Sequence, residues 1–454
     1  MKRIFIFMLF QVPLSPVYAA AMDRTGQSIS AFLQPHHYFE FGLNVSDPDI
    51  AGREAGLTPT TREIDNIAEQ FYTTNTALKF QLNPQFSFGI LYDQPFGADA
   101  AYKGQNSFTA TEQDRVLAAL RLPISELAQV SGIDAPEGQT GVEIKTQNLT
   151  MLMGYQPTPA WNIYAGAAAQ NIKAHINSRG NTYSIYNGYT LDIPENTSYG
   201  WLAGSQYQNP KIGFKAALTY RSKIEHKVGA DERLPVVDMI QNAQGFELLN
   251  REIDLAPLTD VQKQAVKATV QKLHDIEFND TTAKVLSPQS VNIDLQQRIR
   301  PDLIGFAQIR WVNWKDFNIE LSKFSEVSKI VGALSRPLRP EGFDFVDYSN
   351  DQWSANIGLN KIINPKWSSN ISLGWDSGAG NPVSLLGPTE GFWSVGLGAQ
   401  YQPTPATFIA GGVKYLWLGD AHSQTGVQAG SDLYLGEFKN NYALGYGLKL
   451  GYRF

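Results

Sequence analysis

The C-terminal stretch Asn441–Phe454, which reads NYALGYGLKLGYRF, decides the fold class. Every second residue from Tyr442 to Phe454 is apolar or aromatic, whereas the residues between them are small or polar. A period of two is typical of a β-strand, because successive side chains point to opposite faces. The alternation is too long for a soluble sandwich, whose strands usually have about 5 to 6 residues. A transmembrane barrel strand needs about 9 to 11 residues with one apolar face, so the stretch predicts an outer-membrane β-barrel.

The same alternation recurs upstream, in residues 211–221, 353–360, 367–375 and 393–401. In each segment one face is apolar or aromatic and the other is small or polar. The polar face of the first segment carries Lys211, Lys215 and Arg221, which a packed sandwich core would not tolerate. A wet barrel lumen accepts such cations, so the pattern favours a barrel.

Two kinds of connection separate the predicted strands, and their number fixes the topology. The short turns all contain proline, which cannot donate to a strand ladder: Asn83-Pro84, Pro157-Thr158-Pro159, Asn209-Pro210, Pro301-Asp302, Asn364-Pro365 and Pro403-Thr404-Pro405. The longer connections cover about residues 47–68, 94–138, 177–196, 225–287, 323–350, 377–391 and 419–435. Short turns at one end and long loops at the other describe an all-β, antiparallel transmembrane barrel. With both termini at the short-turn end, the count predicts about fourteen strands.

Composition excludes several classes of function. The chain has no cysteine, so disulfide scaffolds, cysteine nucleophiles and thiolate zinc sites are excluded. A formal charge of -6 gives no reason to expect nucleic acid as a partner. His36 and His37 are adjacent on a strand and so point to opposite faces, and no third ligand is suitably spaced. Since glycine-rich phosphate loops and G-x-S-x-G elbows are also missing, we expect no enzyme activity, no cofactor and no metal.

The N-terminus has the pattern of a secretory signal peptide. Lys2 and Arg3 precede an apolar run over residues 4–12, and Val17-Tyr18-Ala19 is a small-residue cleavage pattern. The run is shorter than the about 20 residues that a spanning helix needs. We therefore predict a signal peptide over residues 1–19 and export to the outer membrane.

The connection over about residues 225–287 is too long to be a bare loop. Thr259 and Gln262 form a capping-box pattern, and the residues that follow predict a helix from about Asp260 to His274. An earlier apolar piece, Leu234–Ile240, predicts the start of another helix. Two interpretations remain open: a helical cap that packs on the barrel rim, or a hydrophobic surface that captures ligands.

Three stretches resemble the FadL/TodX family of outer-membrane transporters of hydrophobic compounds: YGWLAGSQYQNPKIGFKAALTYRSKIEHKV (199–228), LSPQSVNIDLQQRIRPDLIGFAQIRWVNWKDF (286–317) and WSANIGLNKIINPKWSSNISLGWDSG (353–378). The family fold is a fourteen-stranded barrel plugged by an N-terminal hatch. The resemblance therefore implies a hatch over residues 20–35 and a barrel over residues 36–454. An Asn-Pro-Ala motif that is usual in the family hatch is missing, so this hatch is short.

In the same family a kink in the third strand opens a lateral gate to the bilayer. The matching stretch, FSFGILYDQPFGADAAY (86–102), contains Gly89, Pro95 and Gly97. Pro95 lacks an N–H group and must remove one hydrogen bond from the ladder. We therefore expect these three residues to mark a lateral gate.

The resemblance also implies a function, namely passive uptake of hydrophobic compounds, with long-chain fatty acids as the main expectation. The residues expected to bind the apolar tail are Leu234, Val236, Met239, Ile240, Phe246, Leu248 and Leu249. Arg179 and Lys323 lie near positions where the family binds a carboxylate, and the alternative is that both are ordinary solvated loop charges. The expected surroundings are outer-membrane lipids and lipopolysaccharide, and the expected state is a monomer.

Three alternative functions remain. The nearest is an aromatic-hydrocarbon transporter of the same family. A general porin would need opposed rows of cations and anions in an open lumen, against which the apolar loop and the proline in the third strand argue. An outer-membrane lipase would need a serine, a histidine and an orienting polar group on one face, and no such set is evident.

Overall fold

The computed structural model describes residues 21–117, 120–278 and 281–454, so the predicted signal peptide lies outside the described residues. Fourteen antiparallel strands close into one barrel, which confirms the predicted fold class. The barrel strands are β1 (Tyr38–Asp49), β2 (Phe71–Gln81), β3 (Phe86–Asp93), β4 (Gly141–Thr158), β5 (Trp161–Asn177), β6 (Thr190–Asn209), β7 (Phe214–Arg221), β8 (Ser290–Arg300), β9 (Leu303–Val312), β10 (Gln352–Asn364), β11 (Trp367–Asp376), β12 (Phe392–Tyr401), β13 (Thr407–Leu418) and β14 (Tyr442–Arg453). The barrel closes because β1 pairs with β2 on one side and with β14 on the other.

The period of two separates the outer surface from the lumen, as predicted. On β14 the side chains of Tyr446, Leu448 and Leu450 are exposed on the outside of the barrel. Lys449 points into the lumen, where its Nζ atom lies 3.0 Å from Oε1 of Glu40 on β1. The ladder between the two strands runs without interruption from Tyr38–Arg453 to Asp49–Tyr442. Alternation alone therefore creates an apolar outer wall and a polar lumen.

The six proline-containing turns and the seven longer connections occur where they were predicted. Three of these connections differ in their bounds. The connection predicted over residues 177–196 is shorter, because β5 and β6 stay paired as far as Asn177 and Thr190. The connection predicted over residues 323–350 begins ten residues earlier, because β9 ends at Val312, and the one predicted over residues 419–435 extends to Asn441, because β14 begins at Tyr442. Pro194 is tolerated within β6 because the register shifts between Ile172 and Ala174 on β5. Such a bulge leaves a residue outside the ladder, where the missing N–H group costs nothing.

Helices occur at the long-loop end of the barrel: α1 (Ile124–Ser131), α2 (Pro235–Gln241), α3 (Ala243–Leu255), α4 (Asp260–Asp275) and α5 (Ser322–Val331), with short 3-10 segments at Asn181–Tyr186, Trp314–Asp316 and Gly332–Leu334. The predicted capping box of α4 is confirmed, since Gln262 N donates to Thr259 Oγ1 and Thr259 N donates to Gln262 Oε1. None of the helices in the described ranges has the length and apolarity needed to cross a membrane.

Short strands complete the long-loop end. One sheet contains Ile224–Gly229, Thr282–Ser287 and Ile319–Leu321, and another contains Gly52–Glu54, Glu63–Ile64, Val383–Ser384, Ala421–Gln424 and Gly436–Phe438. Thr109–Ala110 pairs with Gly138–Gln139, Asp231–Arg233 pairs with β6, and Gly97–Ala101 pairs with β4 beyond the end of β3. A large apolar core joins the loops at this end, and a smaller one lies inside the barrel around Phe32.

Candidate functional site

An apolar cavity of about 320 Å³ lies among the loops, and we call it the loop cavity. Its walls come from seven different parts of the chain, which the long connections bring together above the barrel. The apolar lining includes Leu57, Val116, Ile185, Tyr186, Ile240, Leu249, Val270, Leu273, Phe324, Phe343, Leu385 and Leu435. Leu249, Val270 and Leu273 are at most 2 % exposed, so this side of the cavity is dry. Such a wall can pack against an apolar molecule.

The helices of the long connection form one side of the loop cavity. Between α2 and α3 the backbones approach closely, since a Cβ atom on Gly245 would lie 2.1 Å from the carbonyl oxygen of Met239. Only glycine fits this contact. The approach positions Ile240 and Leu249 on the cavity wall, to which Val270 of α4 also contributes.

The seven residues predicted to bind an apolar tail divide into two groups. Ile240 and Leu249 line the loop cavity. The others support the helices instead: Leu234, Val236 and Met239 are buried in the loop core, and Phe246 and Leu248 pack against it while partly buried. The long connection is thus a packed set of helices that also forms a cavity wall. Binding of a ligand by these residues stays a prediction.

A second, smaller cavity of about 30 Å³ lies next to the first, and we call it the window chamber. Ser384 and Leu386 line both cavities, so the two spaces adjoin. The window chamber also touches Met22, Gly97 and Ile144, near the end of β3. The loop cavity is therefore separated from the barrel wall at β3 by one small chamber.

The barrel wall has a gap beside the window chamber, where β3 leaves β2. Pairing between these strands ends at Thr76 and Tyr92, and contact resumes at an isolated bridge between Ala68 and Ala100. Residues 71–75 of β2 consequently have no strand neighbour on this side. We call the gap between the Thr76–Tyr92 pair and the Ala68–Ala100 bridge the window.

Pro95 and Gly97 lie at the window, and the N-terminal segment pairs with both of them. Arg24 N donates to the carbonyl oxygen of Pro95 over 2.7 Å, and Gly97 N donates to the carbonyl oxygen of Met22 over 2.9 Å. On the other rim of the window, Thr74 N donates to Oε1 of Gln94 over 2.8 Å. The hydrogen bonds lost by the break in β3 are thus replaced by the N-terminal segment and by a side chain, as backbone groups within a membrane require.

Gly89 has a different place from Pro95 and Gly97. A Cβ atom there would lie 2.5 Å from Cδ2 of Phe32, so Gly89 makes room for the N-terminal segment inside the lumen. Phe32 is fully buried, and its ring lies 5.9 Å from the ring of Tyr164. The three predicted gate residues therefore do not form one site, and their role in a gate stays a prediction.

Residues 21–35, the described part of the predicted hatch, are fixed in the lumen by charged and polar contacts. Arg310 Nε lies 2.6 Å from Oδ2 of Asp23, and both side chains are less than 10 % exposed. The Arg310 guanidinium also donates to Oε1 of Gln27 over 3.1 Å, and Arg221 donates to the carbonyl oxygen of Gln27 over 2.9 Å. Near the window, the Arg24 guanidinium lies 4.0 Å from the ring centre of Phe71. The segment is therefore tied both to the lumen wall and to the window.

Arg179 does not line the loop cavity. Its guanidinium makes five hydrogen bonds, to the carbonyl oxygens of Glu137, Ser178 and Tyr189 and to the side chains of Asn177 and Thr190. These contacts occupy all five N–H groups of an arginine. Burial lowers the pKa of the Arg179 guanidinium. The contacts tie two loops together, and carboxylate binding by Arg179 stays a prediction.

Lys323 also lies outside the cavity wall. Its Nζ atom donates to the carbonyl oxygen of Glu232 over 3.0 Å and lies 5.3 Å from the ring centre of Phe278. The Glu232 carboxylate accepts hydrogen bonds from the backbone N–H groups of Lys323 and Phe324, and burial raises its pKa. Lys323 therefore caps a loop contact, and its binding of a ligand carboxylate likewise stays a prediction.

Arg336 is a cavity residue that sequence reasoning missed. It is the single charged residue in the lining of the loop cavity, as far as the described ranges show. The local sequence around Arg336 does not distinguish it from Arg339, three residues later, which donates instead to the carbonyl oxygens of Val427 and Ala429.

Within the described part of the chain, no group of three or more His, Asp or Glu residues is placed to hold a metal ion.

Comparisons with known proteins agree with this architecture. A family model described as "Outer membrane protein transport protein (OMPP1/FadL/TodX)" matches residues 133–454. A crystal structure of a FadL homologue from Pseudomonas aeruginosa has 13% sequence identity and a TM-score of 0.61, covering 92% of this chain and 91% of that one. The toluene transporter TodX of Pseudomonas putida has 11% identity and a TM-score of 0.57, with 98% and 97% covered. The toluene transporter TbuX of Ralstonia pickettii has 13% identity and a TM-score of 0.52, with 98% of each chain covered. No curated protein matches the sequence.

Proposed function

Since the chain belongs to the OMPP1/FadL/TodX family of outer-membrane transporters of hydrophobic compounds, we propose that its main ligands are long-chain fatty acids. A fatty acid tail gains about 0.8 kcal/mol for each methylene group removed from water. The dry lining of the loop cavity, with Leu249 and Val270 fully buried, offers such an environment. Uptake by this route needs no energy source within the chain, and we expect no catalysis.

We propose that a ligand moves from the loop cavity through the window chamber to the window. The observation that carries this route is that Ser384 and Leu386 line both cavities, while Met22 and Gly97 line the chamber and border the window. The clamp between Arg310 and Asp23 keeps residues 21–35 in the lumen, which argues against an open porin channel. A lateral exit delivers an apolar ligand to the bilayer without passage through water.

Transport of monoaromatic hydrocarbons is the second candidate function. A cavity of about 320 Å³ is at the small end of the range for ligand sites, which is about 300 to 1,000 Å³. A single aromatic ring fits such a space more readily than the whole of a long acyl chain. The TodX and TbuX structures, whose titles name toluene transporters, are among the similar folds.

Filling the loop cavity tests the proposed function. Val270→Trp adds bulk to a wall residue of α4, so we expect uptake of radiolabelled palmitate and toluene by expressing cells to fall by about tenfold or more. Val261→Trp is the matched control, because Val261 lies on the same helix but is 77 % exposed and does not line the cavity. Unchanged uptake by a folded Val270→Trp barrel would contradict the proposal. Loss of uptake for only one of the two compounds would identify the class of ligand.

A further inference from the structure

The charges in the short turns of the barrel are concentrated in three of the six turns. Residues 80–88, 155–163 and 400–408, which contain the first, second and sixth short turns, have no charged residue. The other three turns lie within residues 209–213, 298–302 and 361–366, and they have one acid, Asp302, and five cations: Lys211, Arg298, Arg300, Lys361 and Lys366. Five positive charges and one negative charge leave a net charge of +4 in these turns, although the whole chain has a net charge of -6.

The single acid does not neutralise these cations. The Asp302 carboxylate forms an ion pair with Lys361, and its Oδ1 atom lies 3.9 Å from Nε of Arg300. The exposed side chains of Lys211 and Lys366 make no hydrogen bond and no ion pair with any residue in the described ranges; only their backbone N–H groups donate, to Asn209 and Asn364. The three turns therefore have positive charge that is available to an external anion.

The three charged turns are neighbours around the barrel, because β7 pairs with β8 and β9 pairs with β10. We call residues 209–213, 298–302 and 361–366 the basic sector. The window lies between β2 and β3, so the turn between β8 and β9 is six strands away from it in a ring of fourteen. The basic sector is thus on the side of the barrel that faces away from the window.

Exposed apolar side chains alternate with these cations along the chain. Ile212, Ile299 and Ile363 are between 56 % and 62 % exposed, and Trp367, directly after Lys366, is 45 % exposed. Tryptophan at the end of a barrel strand is typical of the membrane interface, where it lies at the level of the lipid head groups. Short turns lie on the periplasmic side of an outer-membrane barrel. The cations of the basic sector are therefore at the level of the head groups of the periplasmic leaflet.

We infer that the basic sector binds the phosphate groups of anionic phospholipids in the periplasmic leaflet of the outer membrane. A guanidinium donates parallel hydrogen bonds to phosphate oxygens, and a lysine adds attraction as a point charge. A lipid suits the sector better than an acidic protein does, because the isoleucines between the cations offer contact to the acyl chains of the same molecule. The inference concerns the bilayer around the barrel and goes beyond the proposed function, since it holds for any transported compound.

Native mass spectrometry of the purified full-length mature protein tests the inference. The protein is released from detergent micelles after titration with phosphatidylglycerol or with phosphatidylcholine of the same acyl chains, and the bound lipids are counted. We expect the unmodified protein to prefer phosphatidylglycerol. The combined substitution Lys211→Gln, Arg300→Gln and Lys366→Gln removes one cation from each turn and should weaken phosphatidylglycerol binding by about tenfold or more. Binding of phosphatidylcholine should change little, because its head group has no net charge.

A matched control variant combines Lys173→Gln, Lys223→Gln and Lys272→Gln. These three lysines are exposed at the long-loop end, so the control removes the same charge from the other end of the barrel. It should bind both lipids as the unmodified protein does. An equal loss of phosphatidylglycerol in the control would show a general effect of net charge and overturn the inference. Equal losses of both lipids in the basic-sector variant would assign the turns to barrel structure and also overturn it.

Two further outcomes separate the lipid from other anionic partners. Glycerol 3-phosphate has the phosphate group without acyl chains, so at the concentration of the lipid it should leave phosphatidylglycerol bound. Displacement would indicate a site for free phosphate esters and overturn the assignment to a lipid. If the unmodified protein shows no preference for phosphatidylglycerol over phosphatidylcholine, the inference is wrong, and an acidic periplasmic protein becomes the alternative occupant.

Discussion

The lumen and the loop end of this barrel are filled in opposite ways. In the lumen, residues 21–35 are fixed by directional contacts to charged side chains, which include the buried ion pair between Asp23 and Arg310. At the loop end, apolar side chains from many segments pack together and leave a space of about 320 Å³. Directional hydrogen bonds specify one position for a segment, whereas apolar packing is non-directional and tolerates a space. We therefore expect closure of the channel to depend on the first region and ligand binding on the second.

The largest effect is expected in the lumen. Arg310→Leu leaves the buried Asp23 carboxylate without its cation, which typically costs about 3 to 5 kcal/mol. We expect residues 21–35 to leave the lumen while the barrel stays closed. Protease cleavage of the segment and ion conductance in planar bilayers should both increase.

Arg298→Leu is the control for this experiment, since Arg298 is an exposed residue of β8. Asp23→Asn combined with Arg310→Gln removes both charges and should restore much of the closure. A segment that remains protected in Arg310→Leu would show that apolar packing around Phe32, and not the ion pair, holds the hatch.

A cavity-forming substitution tests the loop end. Leu249 is fully buried on the cavity wall, so Leu249→Ala should destabilise the packing of α3 by about 2 to 5 kcal/mol. Hydrogen exchange of α3 and α4 measures the loss. Leu255→Ala is the matched control, because Leu255 lies on the same helix, is 72 % exposed and should change stability by less than about 0.5 kcal/mol. Equal protection of α3 and α4 from hydrogen exchange in both variants would mean that the cavity wall at Leu249 is already loosely packed.

The window connects the two regions, and a moderate effect is expected there. Pro95→Val supplies an N–H group at the break in β3, and one added hydrogen bond is worth about 0.5 to 1.5 kcal/mol. We expect uptake of an apolar ligand to slow by a few-fold, as measured in expressing cells. Gly97 should be left unchanged, since a Cβ atom there would lie 2.7 Å from the carbonyl oxygen of Ile144. Pro48→Val, in the unbroken strand β1, serves as the control. Equal uptake rates in the unmodified protein, Pro95→Val and Pro48→Val would argue against lateral release.

The smallest effect is a pH dependence confined to the loop end. Burial raises the pKa of Glu390 from 4.5 to about 7, and its carboxylate accepts a hydrogen bond from Gly380 N over 3.2 Å. The folded loop therefore binds a proton more tightly than the unfolded chain does, and its stability falls as pH rises from about 4.5 to about 7. Because the side chain is only partly buried, solvent screening reduces the effect. Protection factors at Gly380 should fall over this range, and Glu390→Gln should flatten the profile.

The sequence predicts the barrel well, because its signals are local. Alternation over Tyr442–Arg453 and the prolines in the turns each act within a few residues. The capping box at Thr259 likewise marks the start of α4 without reference to the rest of the chain. Pro194 shows the limit of such local signals, since a proline usually ends a strand and the register shift opposite β5 makes it acceptable within β6.

The candidate site is less predictable because it depends on contacts between distant segments. Leu57, Leu249 and Leu435 meet in one cavity although each lies in a different connection. Pro95 is a local signal for the break in β3, but the pairing of residues 22–24 with that break joins segments some seventy residues apart. Arg336 and Arg339 have similar local sequences, and only the packing of the loops places Arg336 in the cavity lining while Arg339 donates to backbone carbonyl oxygens.

The window is bounded above and below by paired backbone, which has a consequence for the lifetime of the fold. The wall is continuous at Thr76 and Tyr92 on one side of the gap and bridged again at Ala68 and Ala100 on the other. A strand in a closed ring cannot peel away from its neighbour unless both ends are released, and in the bilayer each released group lacks water as a substitute partner. The gap is therefore a slot closed at both ends and not the start of a seam. We therefore expect that widening the window to pass a ligand does not lower the barrier to unfolding of the whole barrel.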